Sequence, residues 1–143
     1  MKIAIASDHA GIQLKSFFLQ ELKNIEFVDF GPHSNASVDY PDFAKLACES
    51  VQKKQTDRAI LICGSGIGMS IAANKMKGIR AAHVESSFTA YLASLHNDAN
   101  VLCIGERVTG QAHALAMVNA WLETKFEARH QKRIDKIHQL EGR

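Results

Sequence analysis

Cysteine is scarce in this 143-residue chain: Cys48, Cys63 and Cys103 are its three thiols. An odd number, widely spaced and without a C-x-x-C pair, gives neither a disulfide framework nor a zinc ribbon, and fits a reducing compartment. Excess charge of one sign is also lacking. Seventeen Lys and Arg against fifteen Asp and Glu leave +2, too little to point to nucleic acid, and the basic residues near the C-terminus are interleaved with Glu and Asp. No apolar run reaches membrane length. The opening Met1-Lys2-Ile3-Ala4-Ile5-Ala6-Ser7-Asp8 is apolar for too short a stretch to be a signal peptide, so a cytoplasmic protein is expected. Repeats, linkers and low-complexity segments are missing, which argues for one domain. The seven histidines contain no H-E-x-x-H and no close spacing to carboxylates of the zinc-site kind, so no metal is expected.

What is present is enough apolar content, 46%, to bury a core in a chain of this size. Lys2 to Ala6 reads as a buried strand, Ile12 to Leu22 as a helix and Glu26 to Phe30 as a second strand ended by Gly31-Pro32. The polar, turn-rich segment His33 to Asp42 is long enough to contribute to a site. A helix Phe43 to Gln52 comes next, then the apolar run from Arg58 to Cys63. Arg80 to Val84 and Val101 to Ile104 read as strands, with a helix Ser86 to Leu95 between them. Helices over Gly110 to Lys125 and Glu127 to Leu140 close the chain. Alternating strands and helices of these lengths predict an α/β fold: a single-domain, doubly wound, Rossmann-like parallel sheet of about five strands with helices on both faces. In such a sheet the loops after the strands gather on one edge. Asp8 and His9, the loop after Cys63 and the residues near His96 are expected to meet there.

The central stretch is Cys63-Gly64-Ser65-Gly66-Ile67-Gly68-Met69, a strand end, a glycine-rich turn and the start of a helix. Its glycines let backbone N–H groups turn inward, which suits an anion or a developing oxyanion. Cys63 stands beside those dipoles, in a setting that favours a thiolate. A Walker A loop is excluded because Met69 stands where Lys is required, and a dinucleotide fingerprint because Met69 stands where its third glycine belongs. A cysteine phosphatase is excluded because positions 64 to 70 contain no arginine. The bland alternative is a small buried residue ending a central strand.

Other candidates have bland readings as well. Asp8 and His9 follow the first strand, where a helix cap and a surface histidine would serve equally. His96 is favoured at a helix C-terminus by the dipole. Arg129 and Arg133, four apart, share a helix face that solvent alone explains. Arg107, after the fifth strand, fits either the site edge or a surface ion pair. A thiolate at an oxyanion hole can act as a covalent nucleophile, with His96 and Asn97 in support, or as a base removing a proton next to a carbonyl. Residue types and spacing leave both open.

Five linked motifs go further. Ser7-Asp8-His9-Ala10-Gly11, Asp39-Tyr40-Pro41, the Cys63 to Gly68 loop with Ala72-Ala73-Asn74-Lys75, Gly78-Ile79-Arg80-Ala81 and His96-Asn97-Asp98-Ala99-Asn100 closely resemble the type B ribose-5-phosphate isomerases. The resemblance runs on to Arg129-His130-Gln131-Lys132-Arg133, essentially the whole chain in order. It implies a metal-free, cofactor-free interconversion of ribose 5-phosphate and ribulose 5-phosphate through a cis-enediol. By the same resemblance Cys63 is the base and Ser65, with Ser where many relatives have Thr, assists at the hydroxyl. One branch of the family uses a Glu at the position of Met69, which here cannot titrate. Asp8 and His96 would assist ring opening, and Tyr40 and Asn97 would line the sugar beside Gly64, Gly66, Ile67 and Gly68. His9, Arg107, Arg129 and Arg133 would hold the phosphate, some of them from a second subunit. The expected assembly is a homodimer with shared sites, a tetramer being open, and with the C-terminal helix of about 127–140 at the interface. No nucleic-acid or membrane partner is expected. Allose 6-phosphate or galactose 6-phosphate isomerisation is the alternative within the family; a non-catalytic phosphosugar sensor and a thiol acyltransferase lie outside it.

Overall fold

A computed structural model describes residues 1–142. Five parallel strands form one sheet in the order β2-β1-β3-β5-β4: β1 Lys2–Ser7, β2 Glu26–Asp29, β3 Arg58–Cys63, β4 Ala81–His83 and β5 Val101–Gly105. Six α-helices connect and follow them: α1 Ile12–Glu21, α2 Tyr40–Gln52, α3 Ile67–Ala73, α4 Ser87–Asn97, α5 Gln111–Glu123 and α6 Gln131–Leu140, the last preceded by a 3-10 turn at Ala128–His130.

Strand side chains alternate between the two faces, and the two cores divide accordingly. Ile3, Ile5, Ile60, Ile62, Leu102 and Ile104 face Leu14 and Phe18 of α1, Ala90 and Ala93 of α4 and Met117 and Trp121 of α5. The opposite face is built from smaller residues, Ala4, Ala6, Ala59, Leu61, Cys63, Val101 and Cys103, against Ala44, Ala47 and Cys48 of α2 and Met69 and Ala73 of α3. Short side chains there let α2 and α3 approach closely, and they place Cys63 on that face. Trp121 is fully buried, donates from Nε1 to the Ala99 carbonyl at 2.9 Å and lies under the Arg58 guanidinium, 4.9 Å from the ring centre. Truncating such a residue to Ala costs about 3–5 kcal/mol.

Two element boundaries differ from the sequence reading in ways that matter for the site. Helix α2 begins at Tyr40, with Pro41 in its first turn, where the missing N–H is no loss and proline's φ already suits a helix. Tyr40 is therefore held by a helix. Helix α4 starts with a capping box between Ser86 and Thr89 and runs on to Asn97, so His96 and Asn97 occupy its last turn. Asp98 ends it in the left-handed region, φ 44°. The Arg80 guanidinium donates to the Asn97 and Asp98 carbonyls and to the Asp98 carboxylate at 2.7–3.1 Å, satisfying groups that a helix end otherwise leaves bare.

Candidate active site

At the C-terminal edge of the sheet, Cys63 ends β3 with little exposure, 5%. Its Sγ accepts a hydrogen bond from the Gly66 N–H at 3.1 Å. Gly66 has φ 80°, which a residue with a Cβ rarely adopts. The loop is pinned by the two residues just past β5: Glu106 N–H donates to the Cys63 carbonyl at 2.9 Å and Arg107 N–H to the Gly64 carbonyl at 3.0 Å. Space between the two loops is minimal, since a Cβ on Gly105 would lie 2.6 Å from the Ser65 Cα. The Ser65 Oγ accepts from the Ile67 N–H at 3.2 Å, which leaves the hydroxyl proton free to donate.

Other predicted residues gather at the same edge. Asp8 donates its N–H to the Ile62 carbonyl at 3.0 Å and is 7% exposed, with Oδ1 accepting from the Ala10 N–H. His9 Nδ1 accepts from the Val38 N–H at 3.2 Å, which ties the segment before α2 to the first strand loop. The Tyr40 ring covers Gly68, where a Cβ would fall 2.7 Å from the ring carbon bearing the hydroxyl. Arg107 lies against Gly64. Asp8, His9, Tyr40, Cys63, Ser65, Arg107 and the glycine loop thus form one constellation, with a thiol, two hydroxyls, a carboxylate and a cation around it.

His96, Asn97, Arg129 and Arg133 are not part of it, and the expectation that the residues near His96 join Cys63 at one edge is corrected. A helix that follows a parallel strand runs back along the sheet, so the last turn of α4 lies at the N-terminal edge. Asn100, three residues past Asn97, accepts from the Ala59 N–H at the start of β3, and the four residues from Ala59 to Cys63 span about 13 Å. The Glu127 N–H donates to the Leu95 carbonyl, fixing the 3-10 turn and α6 beside the end of α4. Within one chain the candidate residues therefore make two clusters at opposite edges of the sheet.

The second cluster contains His130, which the sequence reading left without a role although it stands inside the Arg129 to Arg133 motif. Its ring lies 4.4 Å from that of His96, it is buried, and among the described residues its Nε2 has no hydrogen-bond partner, with Glu127 Oε2 3.8 Å away. Arg133 Nη1 is 2.9 Å from His130 Nδ1. Arginine only donates, so Nδ1 accepts and the proton sits on Nε2. Burial first, then the Arg129, His96 and Arg133 charges, lowers the pKa of His130 below the usual histidine value, against an opposing pull from Glu127. Arg129 also pairs with Glu127.

His96, Glu127 and His130 bring three ligand-type atoms within 4.8 Å of one another, a grouping that sequence spacing did not reveal. With Nδ1 engaged by Arg133 and Nε2 carrying the proton, His130 has no lone pair to offer a cation. Two arginines beside it add repulsion. The cluster suits an anionic or hydroxyl-rich ligand. A groove of about 350 Å³ runs along the open edge of β4, lined by Asn74, Ala82, His83, Leu92, Asn97 and Ile137 among others. It reaches Asn97 but not Cys63.

The family described as Ribose/Galactose Isomerase matches residues 3–137. A putative sugar phosphate isomerase of Bacillus subtilis is 48% identical, with 99% of this chain and 97% of that protein covered. The ribose-5-phosphate isomerase B of Escherichia coli is 42% identical over the same shares of the two chains. Among solved structures, the Clostridium thermocellum ribose-5-phosphate isomerase B superposes with a TM-score of 0.97 at 49% identity, covering 99% of this chain and 98% of that one. The Mycoplasma genitalium ribose-5-phosphate isomerase B, solved with bound ribulose 5-phosphate, gives 0.94 at 45% identity, covering 99% and 96%. Similarity in sequence and backbone along the full length, around a thiol and glycine loop of this geometry, means that the chain belongs to the ribose/galactose isomerase family.

Proposed function

We propose that this protein is a ribose-5-phosphate isomerase of type B, interconverting D-ribose 5-phosphate and D-ribulose 5-phosphate, with Cys63 as the base. The observation that carries the base assignment is the Cys63 sulfur facing the Gly66 N–H, within the glycine loop that also carries the Ser65 hydroxyl. The thiolate takes the proton from C2 of the open aldose, and the electron pair left behind forms the C1–C2 double bond as the C1 oxygen gains a proton. Loss of the proton from the C2 hydroxyl and return of the sulfur-held proton to C1 give the ketose. Neutral enediol oxygens and partial charges are best held by fixed N–H and O–H donors, which the loop amides and Ser65 supply. Asp8 and His96 assist opening of the ring, Tyr40 and Asn97 line the sugar, and His9, Arg107, Arg129 and Arg133 hold the phosphate.

Because those groups lie in two clusters at opposite edges of one sheet, the working site combines the Cys63 cluster of one subunit with the His96 and arginine cluster of another. The unit is a homodimer with two sites related by a two-fold axis. Exposed Ile67 and Ile71 on α3 and Phe88 and Tyr91 on α4 support this reading as apolar surface available for a second copy. Isomerase assay with ribose 5-phosphate tests the activity: turnover is expected without added metal and unchanged in EDTA. Loss in EDTA with recovery on adding a divalent cation would overturn the metal-free reading, and no turnover of ribose 5-phosphate the substrate.

A further inference from the structure

Three successive carbonyls of the Cys63 loop are held in place. Those of Cys63 and Gly64 accept backbone N–H groups from Glu106 and Arg107. The third, of Ser65, accepts from a side chain, the Nε2–H of His83 at 2.8 Å. A carbonyl only accepts, which puts the proton on Nε2. His83 ends β4 opposite Cys103, its side chain half-buried, with Glu85 Oε1 3.9 Å from the same nitrogen. The Ser65 carbonyl and the Gly66 N–H belong to one planar peptide group. One end of that group is held by His83 and the other points at Cys63 Sγ, 3.1 Å away.

We propose that His83 is a positioning residue for Cys63: it clamps the Ser65–Gly66 peptide so that the Gly66 N–H stays directed at the sulfur and stabilises the thiolate. The need for a clamp arises from Gly66. A peptide preceding glycine flips at low cost, because glycine accepts either sign of φ, so the backbone alone does not fix where this N–H points. A flip would turn the carbonyl oxygen toward the sulfur and oppose the thiolate. Packing makes the clamp one-sided, since a Cβ on Gly66 would fall 2.8 Å from His83 Cδ2: the imidazole leaves no room for anything larger than glycine there. A hydrogen bond on the carbonyl also polarises the peptide and strengthens its N–H as a donor.

The proposal rests on the Cys63 reading for its catalytic consequence but has a readout independent of turnover. His83→Leu removes the donor, His83→Gln keeps an N–H near the position of Nε2, and His83→Asn carries an amide too short to reach. Alkylation of Cys63 by iodoacetamide is followed by peptide mass from pH 6 to 10 in the full-length protein, with thermal melts confirming folding. Burial pushes the Cys48 thiol up to about 12 and that of Cys103 well above its ordinary value, so Cys63 reacts first. The other titratable neighbours, Asp8 after β1, Tyr40 and Cys48 on α2, Cys103 on β5 and Arg107 after it, are the same in every variant. At pH 7 the Leu and Asn variants should alkylate about three- to tenfold more slowly than wild type, converging with it at high pH, where the thiolate is formed in all. Their kcat should fall by a similar factor, with KM within about twofold, and the Gln variant should stay near wild type in both. Alkylation of the Leu and Asn variants at the wild-type rate at pH 7 would overturn the proposal, as would a Gln variant as slow as they are, which would mean packing alone. Slower alkylation with unchanged kcat would uphold the clamp and sink Cys63 as the base instead.

Discussion

Cys63 and His130 illustrate how differently a buried side chain is used according to what faces it. If the sulfur is the base, Cys63→Ala should cost about 10²–10⁴-fold in kcat while sugar phosphate still binds, because the loop amides and arginines remain. In heavy water the wild type should wash deuterium into carbon-bound positions of recovered sugar, and the variant should lose exchange and isomerisation in parallel; near-normal turnover in the variant would transfer the role to another group, Asp8 first. His130 makes a statement about stability. Its folded pKa is lowered by burial and the neighbouring charges of Arg129, His96 and Arg133, so the unfolded chain takes up that proton more readily than the folded one. Its contribution is whole above the ordinary histidine pKa of about 6.5 and is lost as pH falls through the lower folded value. Thermal melts between pH 7.5 and 5 should therefore show a smaller fall in Tm for His130→Gln than for wild type; equal slopes would contradict the account.

Among elements, the strand ends set the site through close approach. A Cβ on Gly105, at the end of β5, would sit 2.6 Å from the Ser65 Cα, and backbone cannot yield as a flexible side chain can. Gly105→Ala should displace the Cys63 loop, with kcat reduced by about 10²-fold, as an ångström of misplacement costs, and stability reduced by about 1–3 kcal/mol. Kinetics and melts on the same preparation would check both, and an unchanged kcat would show that the loop is not held to this tolerance. On the other flank, buried Lys15 of α1 donates to Asp29 Oδ1 at 2.9 Å and to the Pro32 carbonyl at 2.8 Å, anchoring the end of β2 and the segment that leads to His33 and Tyr40. Lys15→Met leaves Asp29 with a lost partner. A destabilisation of about 2–3 kcal/mol is expected, below the value for a fully buried pair because Asp29 keeps some solvent, and denaturant unfolding would measure it.

For the whole molecule the decisive property is that one chain holds its candidate residues in two separate clusters. A site shared between subunits has a signature that a site within one chain lacks. Cys63→Ala protein, which should turn over little, and Arg133→Ala protein, whose affinity for sugar phosphate should be weakened, are assayed at low ribose 5-phosphate and should recover activity when unfolded and refolded together, because a mixed dimer concentrates both lesions in one site and leaves the other intact. Random pairing gives up to about a quarter of wild-type activity in a two-site dimer. No recovery, with mixed dimers shown to have formed, would place both residues in the same subunit's site.

Much of this was legible along the chain. The apolar runs Lys2 to Ala6, Arg58 to Cys63 and Val101 to Ile104 could only be buried strands, and their alternation with helices required a parallel sheet with a Cys63 loop at its C-terminal edge. Local chemistry determined those elements, because strand length, glycine placement and helical periodicity are properties of neighbours in sequence. Residues joined only by tertiary contact were hidden: the His130 ring against His96, the Arg133 donor that fixes its tautomer, and His83, an unremarked letter in a three-residue edge strand, closing on Ser65. The position of His96 shows the limit best. Sequence order put it after a strand and a helix, but the direction in which α4 returns along the sheet decided that it ends at the edge opposite Cys63, and direction exists only once the helix has packed.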